Sequence, residues 1–213
     1  HCAEPLGAGT GNLLRSFDDQ RVTGYAVEPN DAMHAVAYRL APHDSRFQWM
    51  SGTAESSRLP DNSVNWALLG NAYQFVDAYK MFKEAYRILR EHGFLTIIWN
   101  IRDLKRDQLQ REIEEMVKCE APGLKRTGES IADMMDAIDP NGLFSEYCYV
   151  EARHEQHFTP ERFLDTWKAS HDVPSQVSKQ QWDDILNKTA RMIPRESWIR
   201  TIWITRAWTF QAK

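Results

Sequence analysis

Glycine occupies positions 7, 9 and 11, alternating with Ala8 and Thr10, directly after a short β-type run and before a helical pattern that opens at Asn12. Alternate glycines at a strand-to-helix turn let the backbone bend tightly and bring its N–H groups against a ligand with no Cβ in the way. The expected ligand is elongated and polar. A dinucleotide fingerprint, G-x-G-x-x-G, would need glycine at position 12, which is Asn12, so the spacing argues against a dinucleotide. Glu28 closes the next β-type run, Val22 to Val27, seventeen positions after Gly11. A carboxylate there can accept hydrogen bonds from both hydroxyls of a ribose, which points to a nucleoside with a short polar tail. Gly52-Thr53-Ala54-Glu55 follows the third strand at the C-terminal edge of the sheet, where doubly wound folds bind their ligands, and is placed to flank the base.

The rest of the first hundred residues alternates β-type runs with helical patterns, the signature of a parallel sheet with crossover helices. A first helix is expected over 12–17 and a second over 30–40, capped by Asn30, with Met33, Val36, Ala37 and Leu40 as its apolar stripe. Strands follow over 47–50 and 64–69. The pattern of 78–90 predicts an amphipathic helix that buries Ala78, Met81, Phe82, Ala85, Ile88 and Leu89 and stops at Gly93. Phe94 to Trp99 then reads as a buried parallel strand. Beyond Asn100 more polar helices are expected over 107–118, 130–138, 160–169 and 179–192, interrupted by β-type runs over 145–158 and 199–210 at the sheet's edge. The expected fold class is α/β: a doubly wound, Rossmann-like, mostly parallel sheet with helices on both faces, an antiparallel C-terminal edge strand and helical cap elements. Residues 1–213 read as one domain, with a cofactor-binding half at 1–103 and an acceptor-side half at 104–213.

A formal net charge of −4 disfavours a polyphosphate partner, so no nucleic acid is expected. Cys2, Cys119 and Cys148 are three in number, far apart and in no C-x-x-C arrangement, which suggests neither a disulfide framework nor a zinc site. No membrane-length apolar run and no opening signal pattern is present, and the expected setting is a reducing cytoplasm.

In this order and spacing the motifs resemble those of the class I S-adenosylmethionine-dependent methyltransferases, of the type with a UbiE-like methyltransferase domain. Gly7-Ala8-Gly9-Thr10-Gly11 is similar to the family's first motif, and Val27-Glu28-Pro29-Asn30 to the acidic motif that holds the ribose. Gly52 to Glu55, with Leu59 to Val64, resembles the adenine-side segment. Ala72 to Asp77 resembles an aromatic-rich stretch after the fourth strand, and Trp99 to Asp103 completes the likeness. The resemblance implies S-adenosylmethionine as cofactor and S-adenosylhomocysteine as product. It assigns cofactor contacts to Glu4, Gly7, Ala8, Gly9, Thr10, Gly11, Glu28, Pro29, Thr53, Ala54, Glu55 and Asn71. The family usually places an acid two positions before the first glycine, where this chain has Pro5 with Glu4 one step earlier. Glu4 replaces that acid only if the strand bulges. The N-terminal covering helices of the family are absent from this sequence.

Methyl transfer from a sulfonium is an in-line displacement of an activated leaving group, so the protein mainly supplies proximity, alignment and exclusion of water. Neither a metal nor a covalent intermediate is required. Tyr73 and Gln74, with Asn71 and Trp99, are the acceptor-side candidates, and the expected acceptor is a small organic molecule. His154 and His157, three apart on a β-type run, fall on opposite strand faces and do not make a metal pair. His34 reads as a surface residue beside an apolar stripe. Trp167, Trp182, Trp198, Trp203 and Trp208 serve either core packing or an apolar acceptor pocket. Two other readings stand beside the leading one: a methyltransferase-fold protein that binds cofactor weakly or not at all, and a nicotinamide-dependent oxidoreductase, which Asn12 opposes.

Overall fold

A computed structural model of the chain describes residues 2–17, 21–40, 46–126, 142–170, 172–194 and 198–213. Its strands are β1 (Cys2–Pro5), β2 (Thr23–Val27), β3 (Phe47–Met50), β4 (Val64–Gly70), β5 (Leu89–Arg102), β6 (Phe144–Phe158) and β7 (Ile199–Ala212). Its helices are α1 (Asn12–Arg15), α2 (Asp31–Leu40), α3 (Ala78–Ile88), α4 (Gln108–Glu120), α5 (Pro160–Lys168) and α6 (Lys179–Met192). The expected helix over 130–138 lies outside the described residues. The strands form one sheet in the order β3-β2-β1-β4-β5-β7-β6. The fold is the expected Rossmann-like mixed sheet with helices on both sides.

Two compact units are formed, one from His1–Trp99, Asp133–Val150 and Arg206–Lys213, the other from Asn100–Ala132 and Glu151–Thr205. In the first, β1 lies between β2 and β4 in parallel register, with Ala3 opposite Gly24 and Trp66, and β3 and β5 extend the sheet in the same sense. Every ligand-facing loop of these strands therefore leaves from the same, C-terminal edge. Leu14, Val22, Ala26, Phe47 and Leu68 pack together on the sheet, with Trp49 and Trp66 against them. Helix α3 opens on Asp77, whose side chain accepts from the Lys80 amide at 3.1 Å, and buries Met81, Phe82, Ala85 and Ile88. Its Phe82 ring meets Phe144 and Phe210 edge-on at 5.7 and 5.3 Å.

Three local expectations are corrected here. Helix α3 ends at Ile88 rather than at Gly93, because the Arg87 and Ile88 carbonyls accept from the Asn62 and Ser63 amides at 3.0 and 2.8 Å. The chain then enters β5 at once, and Gly93 serves a bulge beside His92, whose φ is 60°. A Cβ on Gly93 would lie 2.9 Å from the Arg90 carbonyl oxygen. Helix α2 turns a different face inward: Ala37 is buried while Met33 and Leu40 are exposed, and the His34 ring packs edge-on against Trp49 at 5.2 Å. His34 is thus an inward residue with a buried Nε2, not a surface one.

The C-terminal strand is also displaced from its expected edge position. Contacts of His92, Thr96, Asn100 and Asp103 with Gln211, Thr209, Thr205 and Ile202 show that β7 runs antiparallel to β5, but it lies second from the edge, inside β6. The reason is polarity. Strand β7 buries Ile199, Ile204, Trp208 and Phe210, whereas most of β6 is exposed and carries Glu151, Arg153, Glu155 and His157, the kind of strand that blunts an open edge.

In the second unit, α4, α5 and α6 open on Asp107, Thr159 and Ser178, each of whose side chains accepts a backbone N–H of the first turn. Ile113, Val117, Phe163, Trp167, Val173, Ile185 and Ile199 form its apolar core. No helix of the described residues is long and apolar enough to cross a membrane.

Candidate functional site

Strand β1 hands the chain to the glycine turn through Leu6, whose amide donates to the Leu68 carbonyl at 2.7 Å. The Gly7 and Ala8 amides then both donate to the Val27 carbonyl at 2.9 Å, which pins the turn to the end of β2. Gly7, Gly9 and Gly11 have φ of 72, 58 and 78°, the left-handed region that side chains resist. Space matters as well as torsion. A Cβ on Gly7 would sit 3.3 Å from Ala72, and one on Gly11 3.3 Å from Trp49, but one on Gly9 would meet nothing within 4 Å. The turn is closely packed at both ends and open at its middle.

Glu28 lies beneath that opening, buried at 8% exposure. Its Oε2 accepts from the Gly9 amide at 2.8 Å and its Oε1 from the Asn30 amide at 3.0 Å. Asn30 passes the order onward, its Oδ1 accepting from the Ala32 amide at 2.9 Å at the start of α2. A carboxylate has about four acceptor positions, so among the described residues each Glu28 oxygen keeps one in reserve. Pro29 is exposed, and the Thr10 carbonyl accepts from Arg15 Nη1 at 2.6 Å. Glu4 is in β1 opposite Ala67; its side chain lies outside what is described.

The segment after β3 is held by groups that spacing did not reveal. Gly52 packs so closely that a Cβ would lie 2.8 Å from the Ser57 carbonyl oxygen, and Thr53 and Ser56 exchange backbone bonds of 3.0 and 3.1 Å. Thr53 is exposed and Ala54 buried, while Glu55 Oε1 accepts from the Asp77 amide at 2.8 Å. That bond ties the segment to the start of α3 and turns the Glu55 carboxylate toward structure. Buried Ser57 donates through its amide and hydroxyl to Glu84 Oε1 at 2.7 and 2.6 Å, and Arg87 clasps the same carboxylate at 2.8 and 2.7 Å. Burial opposes the charge on Glu84, but the Arg87 and Ser57 donors outweigh it and hold the carboxyl down to about 2. The available signal was a charge at position 84 inside the apolar stripe of α3.

At the end of β4, Asn71 adopts φ 53° and its amide donates to the Ile98 carbonyl at 2.9 Å. The 3-10 turn Tyr73–Phe75 follows. Tyr73 is 4% exposed, its hydroxyl buried with no hydrogen-bond partner among the described residues, and burial pushes its pKa up to about 12. The Gln74 Oε1 is likewise buried and has no partner among the described residues. Trp99 is buried at the end of the unit. The glycine turn, Glu28, Thr53 to Glu55, Asn71, Tyr73 and Gln74 thus all follow the C-terminal ends of β1 to β4. This unit also carries a groove of about 760 Å³ beside Tyr79 and Lys83, which reaches Glu55 at one side, and another of about 560 Å³ over Trp66 and Phe94. Neither includes a residue of the glycine turn.

Of the five tryptophans singled out, Trp167 and Trp208 are core residues, Trp182 packs against the core, Trp203 is half-buried with its Nε1 donating to Thr201, and Trp198 is 61% exposed. His154 meets Thr205 and Gln156, and among the described residues no group of three or more His, Cys, Asp or Glu is placed to hold a metal.

A Rossmann-like sheet with a glycine turn after β1 and an acid after β2 defines the class I methyltransferase fold. Residues 5–97 match the family described as methyltransferase domain. It is 30% identical over 160 residues to an uncharacterized methyltransferase of Mycobacterium tuberculosis, a match covering 75% of this chain and 60% of that relative. The chain thus spans about three fifths of that relative's length. The YcgJ protein of Bacillus subtilis shares the fold with a TM-score of 0.59 at 18% identity, covering 100% of this chain and 92% of that one. A geranyl diphosphate methyltransferase, solved with geranyl diphosphate and sinefungin, superposes with a TM-score of 0.51 at 12% identity, covering 99% and 70%.

Proposed function

We propose that the glycine turn and Glu28 hold S-adenosylmethionine and that the protein transfers its methyl group to a small organic acceptor. The observation that carries this reading is the buried Glu28 carboxylate, tied to Gly9 and Asn30 yet keeping one acceptor position on each oxygen for the two ribose hydroxyls. The open space over Gly9 admits a ligand to the backbone, as a Cβ there would not. Thr53 and Ala54 flank the adenine, and Glu55 holds that segment to α3. When bound, S-adenosylmethionine supplies an activated methyl group whose transfer asks mainly for alignment and exclusion of water. Tyr73 stays protonated at neutral pH, so its buried hydroxyl donates a hydrogen bond on the acceptor side rather than removing a proton, and Gln74 Oε1 accepts one. The sinefungin in the geranyl diphosphate methyltransferase supports the cofactor class. Free, exposed Cys119 and Cys148 support a reducing, cytoplasmic setting.

Calorimetry with S-adenosylhomocysteine and with NAD tests the reading. Micromolar binding of the first and none of the second is expected. Loss of about 10- to 100-fold in affinity is expected for Glu28→Ala, since hydrogen bonds to a charged group contribute about 1.5–3 kcal/mol. Binding of neither ligand to the full-length protein would overturn it in favour of a non-catalytic relative.

A further inference from the structure

Arg102 ends β5 in the second unit with its side chain 23% exposed. Its guanidinium carbon lies 4.2 Å from the centroid of the Trp167 ring, and Trp167 is itself 1% exposed. Two acids share the cluster, but Arg126 takes both. Its Nε and Nη2 donate to Glu114 Oε1 and Oε2 at 2.8 and 2.5 Å, and its Nη1 to Asp172 Oδ2 at 3.1 Å. Arg102 is left 3.7 Å from Glu114 Oε2, an ion-pair separation beyond hydrogen-bond reach. Among the described residues no group accepts a hydrogen bond from its side chain.

A guanidinium presents five N–H donors in a planar fork, and here the side chain keeps enough exposure, 23%, for a ligand to reach it. Burial, and then repulsion from Arg126, bring the Arg102 pKa down to about 10, so the group is still charged at neutral pH. The Trp167 indole covers one side of the group. What remains is a charged fork of donors with no hydrogen-bond acceptor among the described residues.

The complementary ligand group is planar and carries two acceptor oxygens, which describes a carboxylate. A tetrahedral phosphate would bring up to two negative charges beside Glu114 and Asp172, which already balance the two arginines, whereas a carboxylate brings one. Further polar groups stand alongside. Asn100, two residues before Arg102, shares its face of β5. Thr205 Oγ1 donates to Asn100 Oδ1 at 2.6 Å and lies 3.4 Å from His154 Nδ1.

We propose that Arg102 anchors a carboxylate-binding site in the second unit, and that the acceptor methylated by this protein carries that carboxylate. The site itself stands on the geometry of Arg102; only its assignment to the acceptor rests on the methyltransferase reading above.

The site is tested on the full chain labelled with nitrogen-15 tryptophan, following the Trp167 indole resonance, which is assigned by its loss in Trp167→Phe. Succinate, citrate and benzoate are titrated to millimolar concentrations against succinamide and sulfate. At least one carboxylate is expected to shift the Trp167 resonance saturably, with no response to succinamide and a weaker one to sulfate. Arg102→Gln is expected to lose at least tenfold in affinity. Arg102→Lys, which keeps the charge but not the fork, is expected to lose most of it, and this variant decides the question if Arg102→Gln fails to fold. Absence of a saturable shift with all three acids, an undiminished shift in the variants, or an equal response to sulfate, meaning an adventitious ion only, would overturn the site.

These titrations contain no S-adenosylhomocysteine, so they succeed or fail independently of the calorimetry. The acceptor half is read from labelled methyl transfer into a panel of carboxylic acids and their amides. Preference for the acids that disappears in Arg102→Lys, with S-adenosylhomocysteine affinity unchanged, supports it. Equal methylation of acids and amides overturns it.

Discussion

In the glycine turn the groups offered to the proposed ligand are backbone amides and one carboxylate, fixed by torsions of 58 to 78° that only glycine adopts readily. In the Arg102 cluster they are side-chain donors, covered on one side by an indole and set beside a second arginine that takes the available acids. The first arrangement is written in residue types at close spacing. The second is assembled from positions 102, 114, 126, 167 and 172, on segments that only the fold brings together. Backbone-built sites are therefore legible before folding, and charge-built ones are not.

The contrast is broken most strongly at Arg126. Its side chain is 15% exposed, and Arg126→Met would leave Glu114 and Asp172 without their partner. Removing one member of a buried pair costs about 3–5 kcal/mol, to be read as a lower denaturation midpoint in urea. A loss under about 1 kcal/mol would mean that the cluster is solvated rather than built.

The first unit has its own buried charge, and acid tests it. With the folded Glu84 carboxyl at about 2 against an ordinary 4.5, its contribution is fully present above pH 4.5 and is lost as pH falls from there toward 2. The shift corresponds to about 3 kcal/mol at most. Stability measured against pH should fall through that window in the parent and less steeply in Glu84→Gln. Parallel curves would place the acid sensitivity elsewhere.

Glu28→Ala separates the two sites functionally. It should weaken S-adenosylhomocysteine by about 10- to 100-fold while leaving the succinate-induced shift of Trp167 as it was. Coupled losses would show that the two sites are not independent. The smallest effect is expected at Gly9→Ala, where the added methyl meets nothing and only the left-handed torsion of 58° is strained, at about 1–2 kcal/mol. A larger thermal destabilisation than at Gly11→Ala, where Trp49 stands 3.3 Å away, would contradict the open middle of the turn.

The order of strands and helices through Trp99 could be read because parallel units repeat one rhythm of apolar runs, and Glu28 because its place after β2 follows from the glycines. What escaped depended on competition between neighbours. Gly93 looked like a helix stop, but the Asn62 and Ser63 amides end α3 five residues sooner. The sequence of β7 alternates as an edge strand does, and only comparison with the more polar β6 decides which of them lies outside. Met33 and Leu40 suggested the inner face of α2, yet Trp49 draws His34 inward instead. Ser57, Glu84 and Arg87 form a set in which only Glu84 was conspicuous, as a charge in an apolar stripe.

The bond from the Gly9 amide to Glu28 has a kinetic consequence. If the turn takes the nucleoside proposed for it, a turn already held in shape by a carboxylate beneath it has no rearrangement left to make, and its ordering is completed during folding rather than during association. Capture at such a site is governed by encounter and by removal of water, and departure by the strength of the contacts alone. A single-exponential association whose rate rises linearly with ligand concentration, without a plateau, is the kinetic form that a preorganised turn gives.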